Sequence, residues 1–297
     1  MAEMGRKAVV ATQTCQAHDE TLLGDQLMKQ VHTRRAAGTV LLGAVSVAAI
    51  SSPASARGGK RARTPRVIAI EARPESISFN LAKTAVLVVD MQNDFGAKGG
   101  MFERAGIDIS GIRAVVPNVR SALDAARSAS IPIIYLKMAF QPDLSDAGPV
   151  TAPNLLKHAP LRVGEEVTAP DGRRSRILIR DTWNTEIISE LRPGADDTVI
   201  YKSRFSGFYR TDLDEVLKQL GVEALIVTGC TTSVCIESTV RDAMFRNYRC
   251  ILLEDCMAEP IAAAAQRSNH EASLLTMQIL FAWISDSGKL ARALAAS

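Results

Sequence analysis

From Ala85 onward the chain alternates short, uninterrupted apolar runs with longer stretches in which apolar residues recur every three or four positions. Ala85–Asp90, Ile131–Lys137, Thr198–Lys202, Ala224–Val227, Cys250–Glu254 and Phe281–Ile284 read as strands. The first is apolar without alternation, the pattern of a parallel strand covered on both faces. Between the strands, Ile112–Ala129 places Val115, Val119, Leu123 and Ala126 on one helical face, Thr211–Leu220 reads as a second amphipathic helix, and a long helix is expected from about Ile261 to Ile279. Strands alternating with helices predict a parallel, doubly wound sheet in one domain. Gln141–Gly172 breaks the rhythm. It holds five prolines and no steady period, which predicts an irregular excursion of the lid or binding-loop kind with a turn at Pro170-Asp171-Gly172.

The pattern before Ala85 is of another kind. Ala36–Ile50 is a 15-residue uncharged stretch preceded by Thr33-Arg34-Arg35 and followed by Pro53-Ala54-Ser55-Ala56. A charged region, a short apolar region and a small-x-small site form a secretory pattern, and the paired arginines suggest twin-arginine export to the periplasm or beyond. The alternatives are a mis-assigned start or an apolar helix without targeting value, which would leave the protein in the cytoplasm. Residues 1–56 are therefore expected to be an export signal, 57–72 a basic disordered linker, and 73–297 the folded domain. The apolar run is too short for a membrane span of about 20 residues, so no stable membrane association is expected.

Charge follows the same division. The formal net charge is +3, but residues 1–66 hold ten Lys/Arg against four Asp/Glu. The remainder carries 25 basic and 28 acidic residues, so the folded part offers no basic face for nucleic acid. The five cysteines show no CxxC or Cys/His metal spacing.

In an open parallel sheet, reactive groups collect beyond the carboxyl ends of the strands. Asp90 closes the first run, Lys202 closes the third, and Cys235 follows the fourth. Ahead of Cys235, Gly229 interrupts the strand, and Thr231, Thr232 and Ser233 offer oxygens suited to capping a helix. A cysteine in the first helical turn meets unpaired N–H groups and the positive end of the helix dipole, which would lower its pKa. Alone, the stretch suits a small buried core cysteine equally well. Beside a carboxylate that can take a proton and an ammonium that can hold both anions, it points to a nucleophile.

Val88-Val-Asp90-Met-Gln-Asn93, Tyr201-Lys202-Ser-Arg-Phe-Ser-Gly207 and Thr228-Gly-Cys-Thr-Thr-Ser-Val-Cys235-Ile, in that order, resemble the motifs of the isochorismatase-like cysteine hydrolases. The likeness runs from about Arg73 to the C-terminus. It implies a three-layer α/β/α sandwich around a six-stranded, mainly parallel sheet. It implies a triad of Asp90 as base, Lys202 as stabilising cation and Cys235 as nucleophile. It also implies a cis peptide at Cys230–Thr231 and an oxyanion held by the N–H groups of Thr231 and Cys235.

Within the family, Ala72-Arg-Pro-Glu-Ser-Ile-Ser-Phe79, Gly99-Gly100, Arg204-Phe-Ser-Gly-Phe208, Val234-Cys-Ile-Glu-Ser-Thr239 and Leu253-Glu-Asp255 are similar to the ureidoacrylate amidohydrolase subgroup. That likeness implies hydrolysis of a ureido, carbamoyl or linear amide C–N bond through a thioester, releasing ammonia or carbamate. Met138 departs from it, standing where the subgroup carries a polar asparagine. Phe95, Phe140, Trp183 and Phe205 are expected as pocket walls, with Asn93 as a polar contact. No cofactor is expected. No metal is expected either, because nicotinamidase-type sites use an aspartate and two histidines near the second strand, and Lys137–Asp146 contains no histidine. The expected partners are a small-molecule amide and further copies of the chain, since relatives form dimers or tetramers. An exported amidase acting on a biuret-like compound or an antibiotic lactam is the alternative enzyme. A catalytically silent binding protein is the alternative of another class.

Overall fold

A computed structural model describes residues 65–263 and 265–296. The expected export signal and the first half of the expected linker lie outside the described residues. In chain order the strands are β1 (Val67–Ile70), β2 (Ile77–Asn80), β3 (Thr84–Val89), β4 (Ile133–Met138), β5 (Glu166–Thr168), β6 (Arg174–Arg176), β7 (Thr198–Lys202), β8 (Ala224–Cys230), β9 (Arg249–Ala258) and β10 (Ala282–Ser285). The α-helices are α1 (Asn93–Gly96), α2 (Met101–Arg104), α3 (Ser110–Ser128), α4 (Pro153–His158), α5 (Leu213–Gln219), α6 (Glu237–Met244), α7 (Asn269–Leu280) and α8 (Ser287–Ala295).

Six strands form one sheet in the order β10-β9-β8-β3-β4-β7, and every neighbouring pair is parallel. Every residue of β3, β4 and β8 is buried, which explains their unbroken apolar sequence. Alternate side chains serve opposite cores. Val86 and Val88 of β3 pack with Ile112, Val119, Leu123 and Leu290 from α3 and α8. Ala85, Leu87 and Val89 pack with Leu213, Leu217, Val240, Leu274 and Met277 from α5, α6 and α7. The result is the three-layer α/β/α sandwich, and β4 and β8 flank β3 on opposite sides. The order of connection reverses between β3 and β8, so a crevice opens beyond their carboxyl ends.

The contact between β3 and β8 is unusually close at one point. Gly229 has φ +120°, and a Cβ there would lie 2.1 Å from the carbonyl oxygen of Val89. Only glycine tolerates both conditions, and the register of β8 against β9 shifts at the same place.

Three expectations are corrected. The linker expected over 57–72 ends in a strand: Val67–Ile70 pairs antiparallel with β2, and Ile68 and Ile70 are buried while Val67 and Ala69 face out. Its short alternation is overshadowed by the neighbouring arginines. The long helix expected from Ile261 starts only at Asn269, where the Ser268 side chain accepts the N–H of Glu271. On α3 the inward residue is Val116, with Val115 only partly covered. The excursion 141–172 includes α4, and its Pro170-Asp171-Gly172 turn joins β5 to β6. No helix among the described residues is long and apolar enough to cross a membrane.

Candidate active site

Asp90 follows β3 in the left-handed region, φ +53°, a conformation that aspartate accepts more readily than most residues. That turn aims its carboxylate back over the sheet. Oδ1 accepts the backbone N–H of Met138 at 2.9 Å. Oδ2 lies 2.8 Å from Lys202 Nζ, an ion pair without a well-aligned hydrogen bond, and so retains accepting capacity. The thiol of Cys230 donates to the Asp90 carbonyl at 3.3 Å, and Gln92 Nε2 donates to the Met138 carbonyl at 2.9 Å. Cys230 thus holds the backbone of the acid, and burial pushes its thiol well up from its ordinary range.

Lys202 ends β7 and is wholly buried. Its ammonium reaches Cys235 Sγ at 3.3 Å and the Arg204 carbonyl at 3.3 Å, with Met138 Sδ at 3.9 Å. Burial opposes the charge, but the attraction of Asp90 and the hydrogen bond to Cys235 outweigh it and the pKa is raised. Lys202 therefore stays an ammonium.

Cys235 lies in a single wide turn, Thr232–Ile236, of π-helical form, directly ahead of α6. Such turns recur at functional sites. Its carbonyl accepts from Thr239 Oγ1 at 2.7 Å, and Thr239 in turn accepts the N–H of Gly207 at 3.0 Å, tying the turn to the loop after β7. The peptide Cys230–Thr231 is cis.

Two local expectations for this turn are overturned. None of Thr231, Thr232 and Ser233 caps it through a side chain. The Ser233 N–H instead goes to Glu259 Oε2 at 2.6 Å, and Thr232 Oγ1 pairs with His270 Nδ1 at 2.9 Å. The thiol pKa is raised, not lowered: burial comes first, the charge of Asp90 adds to it, and Lys202 opposes both. A fully buried sulfur beside a carboxylate rests as the thiol, whatever the helix dipole favours.

Asp90, Thr231 and Cys235 line a cavity of about 150 Å³. Phe95 and Phe205, expected as walls, line it too, with Met101, Phe102, Met138, Leu161, Val234 and Ile261. The other expected pocket residues lie elsewhere. Phe140 is fully buried behind His158, its ring edge-on to the imidazole at 5.8 Å. Asn93 Nδ2 donates to the Trp183 carbonyl at 2.8 Å, and both residues line a separate open cleft of about 980 Å³. That larger cleft contains neither Asp90 nor Cys235, so the smaller cavity, which holds both, is the candidate site. The loop carrying α4 also brings His158, which belongs to no motif of the sequence, to the cavity. No group of three or more His, Cys, Asp or Glu side chains among the described residues could hold a metal ion.

Asp94 is a further residue missed from sequence. Its carboxylate accepts the N–H of Met101 at 3.0 Å, the N–H of Leu178 at 2.7 Å and the amide of Asn184, joining α1 and α2 to the 178–184 loop. Burial pushes its pKa up to about 7, against the pull of those three donors.

An isochorismatase-domain model matches residues 84–289. The ureidoacrylate amidohydrolase RutB of Klebsiella pneumoniae is 36% identical over 228 residues, covering 77% of this chain and 94% of that protein. Among solved structures, a cysteine hydrolase from Pseudomonas syringae pv. phaseolicola superposes with a TM-score of 0.61 at 30% identity, over 73% of this chain and 95% of that one. The N-carbamoylsarcosine amidase of Thermoplasma acidophilum gives 0.50 at 26% identity, over 69% and 96%.

Proposed function

This chain belongs to the isochorismatase-domain family, and from that premise we propose that it is a cysteine-dependent amidohydrolase cleaving a C–N bond of a small ureido, carbamoyl or linear amide. The observation that carries the reading is the position of one buried ammonium: Lys202 Nζ is 2.8 Å from Asp90 Oδ2 and 3.3 Å from Cys235 Sγ, beside a cavity lined by the acid and the thiol.

The proposed steps follow from that geometry. Asp90 Oδ2 takes the Sγ proton, and the ammonium beside both atoms stabilises the thiolate as it forms. Sulfur attacks the carbonyl carbon, and the oxyanion is held by the N–H groups of Thr231 and Cys235. The C–N bond breaks as Asp90 returns the proton to nitrogen, which leaves as ammonia or an amine. Water then adds to the thioester, C–S cleaves, and the thiol is restored with release of a carboxylate or carbamate. The names of the amidohydrolase and amidase relatives support the reaction class.

Release of ammonia or amine from a panel of ureido and amide substrates, wild type against Cys235→Ala, tests the reading. An acyl adduct on Cys235 seen by mass spectrometry supports it. Equal turnover by the two proteins on every substrate refutes it and leaves the binding-protein alternative.

Export through residues 1–56 and assembly into a homo-oligomer belong to the same proposal. The exposed side chains of Phe245, Leu275, Ile279 and Leu280 on and beside α6 and α7 offer an apolar face for assembly. N-terminal sequencing of the mature protein and light scattering test the two points.

A further inference from the structure

His158 is a ring with one nitrogen committed and one free. Its Nδ1 lies 2.7 Å from the carbonyl oxygen of Asn154, one turn back along α4. A carbonyl only accepts, so Nδ1 carries the proton and Nε2 keeps its lone pair. Among the described residues nothing donates to Nε2. Burial holds the imidazole below its usual range, and Lys202 and Arg204 push the same way, so the ring is neutral. Phe140 and Phe205 pack on it with centroids at 5.8 and 5.5 Å and fix its plane.

Apart from Asp90, Cys235, Thr231 and the rim residue Lys157, the cavity this ring lines is apolar, with Phe95, Phe102, Leu161 and Ile261 among its walls. A carboxylate placed there would need a partner. Lys202 is already divided among Asp90, Cys235 and the Arg204 carbonyl. Arg204 Nη1 donates to the carbonyls of Asp146 and Ser203. Lys157, the remaining cation of the lining, is exposed.

We propose that this cavity takes a small uncharged amide or urea, whose N–H donates to His158 Nε2 and whose remaining surface is apolar. The inference rests on the amidohydrolase reading and narrows its substrate class. His158 is a specificity-determining residue: it reads the substrate's nitrogen face while Cys235 attacks the carbonyl.

The test uses the full chain, with propylurea and butyramide as neutral probes and 3-ureidopropionate and succinamate as their carboxylate-bearing counterparts. Neutral probes are expected to exceed the charged ones at least about tenfold in kcat/KM. His158→Leu should lower kcat/KM for the neutral probes about tenfold, the worth of one hydrogen bond, chiefly through KM. His158→Gln, which restores an acceptor, should return to within about threefold of wild type, and thermal unfolding of both variants shows that they fold. If no probe is hydrolysed in a Cys235-dependent way, the amidohydrolase reading falls, and the inference with it. If hydrolysis depends on Cys235 but the charged probes lead, and Lys157→Met removes their lead, the inference falls alone. It also falls alone if His158→Leu changes kcat/KM by less than about twofold, or if Gln serves no better than Leu.

Discussion

Glu259 caps the turn of Cys235 from 26 residues away: its Oε2 accepts the N–H of Ser233 at 2.6 Å, while Oε1 accepts the N–H of Ile261 at 2.9 Å. One carboxylate thus fixes its own loop and the turn of Cys235 together. Glu259→Ala is expected to cost about 1 kcal/mol, the usual worth of a helix cap, and to lower kcat about tenfold by loosening Cys235. Glu259→Gln, which keeps an acceptor, should recover part of both losses. Thermal unfolding and steady-state kinetics on the same preparations check this.

The Asp90–Lys202 pair is fully buried, so removing one charge strands the other. Lys202→Met is expected to destabilise by roughly 3–5 kcal/mol and to abolish turnover. Adding Asp90→Asn should recover most of the stability and none of the activity. Denaturant unfolding of the single and double variants gives the comparison.

Asp94 predicts a pH dependence of stability. Burial raises its pKa to about 7 in the folded state, against about 4 in the unfolded chain. Between those values the folded protein holds a proton that the unfolded chain has released. The contribution is therefore full below about pH 4 and is lost as pH rises through about 7, with a slope of up to about 1.4 kcal/mol per pH unit. Asp94→Asn should remove this component, which unfolding free energies measured across pH 4 to 8 would reveal as a flatter profile.

Gly229→Ala sets a side chain against the Val89 carbonyl at 2.1 Å with φ at +120°. A loss of roughly 3 kcal/mol or more is expected. Gly172→Ala, at φ +84° with nothing within 4 Å of the new Cβ, should cost about 1 kcal/mol. Midpoints of urea unfolding separate the two.

The sheet was legible because its central strands β3, β4 and β8 are buried on both faces and the intervening segments obey the helical period. The meeting of Asp90, Lys202 and Cys235 was legible because each falls at or just past a strand's carboxyl end, on the side of the parallel sheet where side chains from several strands converge. The direction of the thiol's pKa was not. The local signal at Cys235 is a helix start, whereas burial beside Asp90 is a property of the assembled core. The cap was missed for a related reason: local pattern favours Thr231, Thr232 or Ser233, and the acceptor arrives from Glu259 beyond β9. Pocket walls were half legible. Phe95 and Phe205 sit beside the motifs of Asp90 and Lys202, but His158 comes from an irregular loop, and nothing in the local sequence distinguishes buried Phe140 from a lining ring.

The arrangement of Asp90, Lys202 and Cys235 has a consequence for how the site is armed. Ammonium, carboxylate and thiol sum to zero charge, and so do ammonium, carboxylic acid and thiolate. In the proposed mechanism, arming the sulfur therefore moves a proton within a closed, neutral set and draws none from bulk water. A cavity walled by phenylalanine, leucine and isoleucine, which would oppose the arrival of a net charge, presents no such opposition to this internal exchange.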